Sequence, residues 1–197
     1  MSISETSPRE RARPLPPDDR REAILWAALP LIKEHGRNVS TRQIAEAAGI
    51  AEGTLFRAFG DKDSLIQAAV ERFFDPVPLI AALRSIDPDL PLEQKLSDVL
   101  VHLRARFTGM VTMMTALGMS ARPPVSVELT EQWMNALRDL LAPHEAELTV
   151  PPETVAYYLR LLAFASSFSQ FNVAFEFATD QLASLVAHGV TRSECAA

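Results

Sequence analysis

At 197 residues, 48% of them hydrophobic and only 7 of them glycine, the chain can bury a core in one domain or two small ones despite its 14 prolines. The net charge of −6 divides unevenly: residues 1–72 carry 11 Lys/Arg against 11 Asp/Glu and residues 73–197 carry 8 against 14, so the first part is neutral and the less acidic of the two. The single Cys195 excludes an intrachain disulfide and a thiolate metal site. With no leader-like start and no apolar run of membrane length, the expectation is a soluble, cytoplasmic protein with no membrane partner.

Residues 1–17 are polar and proline-rich, with Arg9, Arg11 and Arg13 closely spaced, and are expected to be a disordered arm able to lie along phosphates when bound. A helix is predicted from Asp19, capped with the help of Glu22, to about His35. Its core face is Ile24, Ala28, Leu31, Ile32 and His35, and Pro30 should kink it or end it early.

The most informative stretch is residues 40–59. Ser40 followed by Gln43 reads as a capping box, and Val39 with Ile44 as a hydrophobic staple. Gly49 supplies the sharp exit from this first short helix, and Leu55 and Phe59 anchor a second one on the same core. Glu52, Gly53, Thr54, Phe56, Arg57 and Ala58 are left pointing outwards. Glycine and threonine in an exposed first turn are poor for stability but suit a bulky partner close to the backbone. The pattern is that of a helix-turn-helix whose second helix enters the DNA major groove.

After Gly60, Asp61 should cap a helix with the buried stripe Leu65, Ile66, Ala69, Val70 and Phe73, stopped by Asp75-Pro76. The domain boundary is placed there, giving an arm (1–17), a DNA-binding unit with its connector (18–74) and a helical unit for effector binding and dimerisation (75–197). Within the last, the spacing predicts a short helix over Leu79–Ser85. A long one follows through Leu96, Val99, Leu100, Leu103, Phe107, Met110, Met114 and Leu117, weakened at Gly109 and Gly118. Three more are expected: one from Ser126 to Pro143, one from Pro152 towards Phe171, and one over Thr179–His188. No alternating strand pattern occurs, so the chain reads as all-α.

Catalytic and metal signatures are missing. There is no nucleophile elbow, phosphate loop or zinc-binding helix, and His35, His102, His144 and His188 are widely spaced. No catalytic residue, metal or cofactor is therefore assigned. The C-terminal part instead gathers Met110, Met113, Met114, Met119 and Met134, with Arg104, Arg106 and His102 at the edge as candidate polar contacts. Phe107, Met110, Met114, Trp133, Tyr157, Phe164 and Phe168 are taken as candidates for an adaptable apolar effector pocket. Small and aromatic residues alternate over Ala163–Gln170. Ala163, Ser167, Phe168 and Phe171, with Leu182, Leu185 and Val186 of the last helix, are the candidate dimer face.

The first third resembles the TetR family of transcriptional regulators. The residues that carry the likeness are Ile24–Leu29, then Thr41 with Ile44–Ile50, and above all Gly53-Thr54-Leu55-Phe56-Arg57-Ala58-Phe59 followed by Asp61–Leu65. The resemblance implies a homodimeric repressor that reads a palindromic double-stranded operator and is released by a hydrophobic small molecule. It places Ser40, Thr41 and Lys62 at phosphates and Thr54, Phe56 and Arg57 on the recognition helix. The DNA-contacting set is thus Ser40, Thr41, Arg42, Gly53, Thr54, Phe56, Arg57 and Lys62. Three departures bear on affinity: Ala51 where a capping serine is common, Phe56 where tyrosine is usual, and Ala58 in place of histidine. The alternative reading is an all-α small-molecule binding module with little or no DNA binding.

Overall fold

The computed structural model describes residues 16–168 and 177–190. The arm with Arg9, Arg11 and Arg13, and the dimer candidate Phe171, lie outside the described residues. Those that are described contain nine α-helices and no strand, as the periodicities require.

The first helix, α1, runs Pro17–His35 and starts two residues before the expected Asp19. No side chain caps it. Proline at the first helical position is preset for the helix and has no amide hydrogen to leave unpaired. Glu22 is not a cap residue: its carboxylate accepts from Arg72 Nε, across 50 residues of sequence. Pro30 does not end the helix. Its ring is on the exposed face, while Ala28, Leu29 and Ile32 hold the adjacent turns in the core. His35, predicted in the core face, is only half-buried.

The next two helices, α2 (Thr41–Ala47) and α3 (Glu52–Phe59), form the predicted helix-turn-helix. The capping box is complete: Ser40 N–H donates to Gln43 Oε1 at 2.9 Å, and Gln43 N–H donates to Ser40 Oγ at 3.1 Å. Gly49 turns the corner with φ of +65°, a value side chains disfavour. Leu55 and Phe59 close the small core with Ile44 and Ala45.

Helix α4 (Lys62–Phe74) is capped by Asp61, which accepts from Ser64 N–H at 2.7 Å. Its buried stripe ends on Phe74, not on Phe73 as expected. The Phe73 ring instead lies between cations, with Lys33 Nζ 4.4 Å and Arg106 Cζ 5.6 Å from its centroid. Trp26, exposed on α1, similarly carries the Arg72 guanidinium 5.0 Å above its ring.

Helix α5 (Val77–Arg84) precedes α6 (Leu92–Leu117), the longest element. The structure shows α6 unbroken at Gly109 and ended at Gly118. Gly109 is a contact point and not a break: a Cβ there would meet Phe73 Cζ at 3.1 Å. The remaining helices are α7 (Val127–Leu141, capped by Ser126), α8 (Pro152–Ser166) and α9 (Thr179–Val190).

Two apolar cores result, and α6 enters both. Its first half, from Leu92 to Leu103, packs with α5, α8 and α9, in a core that α7 completes from across α5 and α8. Its second half sends Met113 and Leu117 into the core of α1–α4. A cut at residues 74–78 therefore leaves part of the N-terminal core on the C-terminal side. At the same junction Gly36, with φ of +57°, lies so close to α6 that a Cβ would come within 2.1 Å of the Ala116 carbonyl oxygen. Only a residue without a side chain fits there.

Candidate functional site

The outward face of the helix-turn-helix is built as its sequence suggests. Leu55 and Phe59 are buried, whereas Gly53, Phe56 and Arg57 are exposed, and Thr54 is half-buried. Gly53 has an ordinary helical backbone, and beyond its own helical turn nothing lies within 4 Å of where a Cβ would stand. Neither conformation nor packing demands glycine there, so the open space faces outwards.

The α3 N-terminus lacks a side-chain cap because Ala51 offers no acceptor. It is braced from α2 instead, where the Thr41 hydroxyl donates to Glu52 Oε1. Arg57 donates to Thr54 Oγ1 at 3.2 Å, which fixes both side chains along one edge of the helix. Arg42 is tied to Glu46 at 2.9 Å, and that hydrogen bond raises its already high pKa. Ser40 is occupied in its own cap, and half-buried Lys62 opens α4 beside the motif.

Two further cations join this face. Arg21 donates to the Ala58 carbonyl and stacks 4.2 Å from the Phe59 ring. With Arg20 and Asp18 it lines a groove against Ile50, Ala51, Thr54, Arg57 and Ala58. The sequence signal was the charged run Asp18-Asp19-Arg20-Arg21, read only as the start of a helix.

The second site lies against α6. A cleft of about 450 Å³ is lined by Phe107, Met110, Val111, Met114, Thr115, Gly118, Met119, Arg122, Phe164 and Phe168. Its aromatic wall is edge-to-face: Phe107 to Phe164 at 5.4 Å, Phe164 to Phe168 at 4.7 Å. A smaller cavity of about 90 Å³ adjoins it through the shared Phe107, Met110 and Arg122, and holds Trp133. Of the predicted pocket residues, Phe107, Met110, Met114, Phe164 and Phe168 come together in the cleft, and Trp133 lies next door. Tyr157 lines neither, because its position on α8 turns it outwards, 54% exposed. Met113 is likewise withdrawn, into the N-terminal core.

The basic groups at this junction are crowded. Arg106 donates to the Phe73 carbonyl and, at 3.1 Å, to that of Asp75, so it covers the end of α4. Burial lowers its pKa; the Asp75 carboxylate opposes that, and Arg122 adds a smaller repulsion. Lys33 is pushed down by burial and then by Arg106. Arg104, expected at the pocket edge, donates to Thr179 Oγ1 at 2.7 Å and ties α6 to α9.

The expected dimer face is largely used up within the chain. Ala163, Leu182 and Val186 are buried in the C-terminal core, since α8 and α9 each turn those positions towards α6. The Ser167 hydroxyl is engaged by the Ala163 and Arg104 carbonyls. Leu185 does point outwards, joined by Tyr157, Tyr158 and Leu161 of α8. Among the described residues no group of His, Cys, Asp and Glu could hold a metal, and no helix is long and apolar enough to cross a membrane.

Residues 24–69 match the family model of the bacterial regulatory proteins of the tetR family, which spans α1 to α4. A TetR transcriptional regulator from Streptomyces coelicolor is 26% identical, aligned over 88% of this chain and 99% of its own, with a TM-score of 0.54. Residues 24–69 thus carry the DNA-binding region of the tetR family, and the chain is similar over most of its length to a regulator of that family. The match marks a DNA-binding transcriptional regulator, and α3 is the second helix of the helix-turn-helix inside the matched residues. The fold is shared more widely. The ketosteroid transcriptional regulator KstR2 of Mycobacterium tuberculosis is 19% identical over 88% of this chain and 96% of its own, at a TM-score of 0.53. The superantigen PfiT, 17% identical over 91% and 100%, reaches 0.62. At such identities the likeness concerns backbone architecture only.

Proposed function

We propose that this regulator is a cytoplasmic, homodimeric repressor of the TetR family. Its α1–α4 unit grips a palindromic operator, and a hydrophobic effector bound in the α6 cleft releases it. The observation that carries the reading is the double duty of α6. Met110 and Met114 line the cleft, while Met113 and Leu117, one turn away or less, complete the core beneath the DNA-reading helices. A guest that rotates or shifts α6 cannot leave that core unchanged, because packed interiors respond by discrete repacking. For release, the guest must bind the operator-free arrangement more tightly than the operator-bound one, since equal affinity shifts nothing.

In this reading Thr41, Lys62 and the added Arg20 and Arg21 sit at phosphates, and Thr54, Phe56 and Arg57 face base edges. Dimerisation uses the exposed stripe Tyr157, Leu161 and Phe164 of α8 with Leu185 of α9. Two half-sites then lie one helical turn apart. The test is to fill the cleft covalently. Met114→Trp should lower affinity for an operator selected from random DNA while leaving the helical spectrum and melting intact. Unchanged operator affinity in a folded, filled variant would remove the proposed link between cleft and headpiece.

A further inference from the structure

The cleft and its annex differ in one respect that apolar complementarity does not explain. The small cavity brings together Arg106, Arg122 and Arg160, with no carboxylate in its lining. None of the three lies within ion-pair distance of an acidic side chain among the described residues. Arg122 donates only a long 3.4 Å bond to the neighbouring Pro123 carbonyl, Arg160 rests 5.6 Å from the Trp133 ring, and Arg106 serves backbone carbonyls. Asp75, whose charge Arg106 feels, is engaged by Arg72 at 3.7 Å. Arg106 and Arg160 are half-buried and Arg122 is exposed, so the niche is open to solvent and its three like charges would be better satisfied by an anion than by water alone. Here they stand in a chain whose C-terminal part carries an excess of carboxylates, so a nearby acid would have been easy to supply.

The two cavities share Arg122, Phe107 and Met110 in their walls. One end is therefore an apolar cleft walled by methionine and phenylalanine, and the other is a cationic niche. We infer that the effector is an amphipathic anion, with an apolar body in the cleft and a single anionic head, a carboxylate or phosphate monoester, held by Arg122 and Arg160 beside Arg106. Planar guanidinium groups suit either head, because both present paired oxygens to a fork of N–H donors. An anion there also competes for Arg106 with the Phe73 and Asp75 carbonyls, which places the head against the end of α4. This rests on the effector reading above and names the chemistry of its ligand.

The experiment compares one tail with three heads on the full chain, below micelle-forming concentrations. Decanoate, decyl phosphate and decanol are titrated by calorimetry and by thermal shift, against wild type, Arg122→Met and Arg160→Met. The expected result is that an anionic form binds roughly tenfold or more tightly than decanol, a charge-assisted hydrogen bond being worth at least that ratio. The preference should shrink in either arginine variant and persist in Arg122→Lys, which keeps the charge. Decanoate against decyl phosphate then separates the two heads. Equal binding of decanol and both anions to wild type would overturn the inference while leaving the apolar effector site intact. A preference that survives in both methionine variants would also overturn it. If none of the three binds, the inference and the effector reading fall together.

Discussion

Gly53→Ala separates what the chain needs from what its partner needs. The backbone at Gly53 is helical, and an added methyl meets nothing within 4 Å beyond its own helical turn. Alanine restricts the unfolded chain more than glycine does, so the substitution should stabilise by about 0.4–1 kcal/mol. For a protein of this size that raises the melting temperature by about 1–4 °C at a fixed protein concentration. Binding should move the other way. Gly53 lies in the first turn of a helix with no side-chain cap, where unpaired N–H groups can meet phosphate only if the backbone comes close. A methyl at the point of approach is expected to cost at least about 1.4 kcal/mol, a tenfold loss of operator affinity. Scanning calorimetry and fluorescence anisotropy on the same preparation measure both. A lower melting temperature would mean that the fold itself requires glycine. A gain in stability with undiminished affinity would mean that no partner approaches that surface, and the reasoning from open space would fail.

Lys62→Ala should weaken operator binding almost uniformly across sequences and reduce the salt slope by about one phosphate contact, read from titrations at several ionic strengths. Gly36→Ala combines a positive φ with a clash against the Ala116 carbonyl, and should lower stability by about 2 kcal/mol or more, visible as a drop of about 4–8 °C. Leu161→Glu, at an exposed position of α8, should leave the melting of the subunit nearly unchanged and yield monomers in sedimentation; an unchanged dimer would move the interface elsewhere. The carboxyl of Asp61 is held below the usual range by the Ser64 N–H. A depressed folded-state pKa stabilises above the unfolded carboxylate pKa and is lost as pH falls through the folded one. Asp61→Asn keeps an acceptor for the cap, so its melting should be less sensitive over that acidic window.

Local signals in the sequence were legible because their causes are local. The Ser40–Gln43 box, the Gly49 turn and the Asp61 cap each depend on a few residues of backbone, and each stands where the sequence puts it. What stayed hidden was the choice of partner. Periodicity marks Met113 and Leu117 as apolar on α6, but nothing local says that they belong to the N-terminal core while Leu103 belongs to the other. The same ambiguity hid the burial of Ala163, Leu182 and Val186 within the subunit: a helix with two apolar faces does not declare which one meets its own chain. Lys95 was invisible for a related reason. A lysine between Leu92 and Leu96 reads as solvent-facing, yet it is fully buried, donating to the Pro88 carbonyl and meeting His144 Nε2 at 2.9 Å. That histidine is 49 residues away, and its Nδ1 is held by Glu147 at 2.6 Å. The cation-rich niche was half-seen through Arg106, while Arg122 and Arg160 come from segments with no pattern to link them.

The chain's two tryptophans fall one on each side of the α6 junction. Trp26 lies on α1 under the Arg72 guanidinium, within the DNA-reading unit, and Trp133 lines the annex of the cleft. Replacing either by phenylalanine leaves a single emitter, so arrival of a guest and rearrangement of the headpiece become separate optical signals in stopped flow. Their order in time carries the kinetic distinction that equilibrium titrations cannot make. A Trp133 signal that leads the Trp26 signal means that the guest enters the operator-competent form and then remodels it. Concerted signals whose rate falls towards a limit as guest concentration rises mean that it captures a form already present.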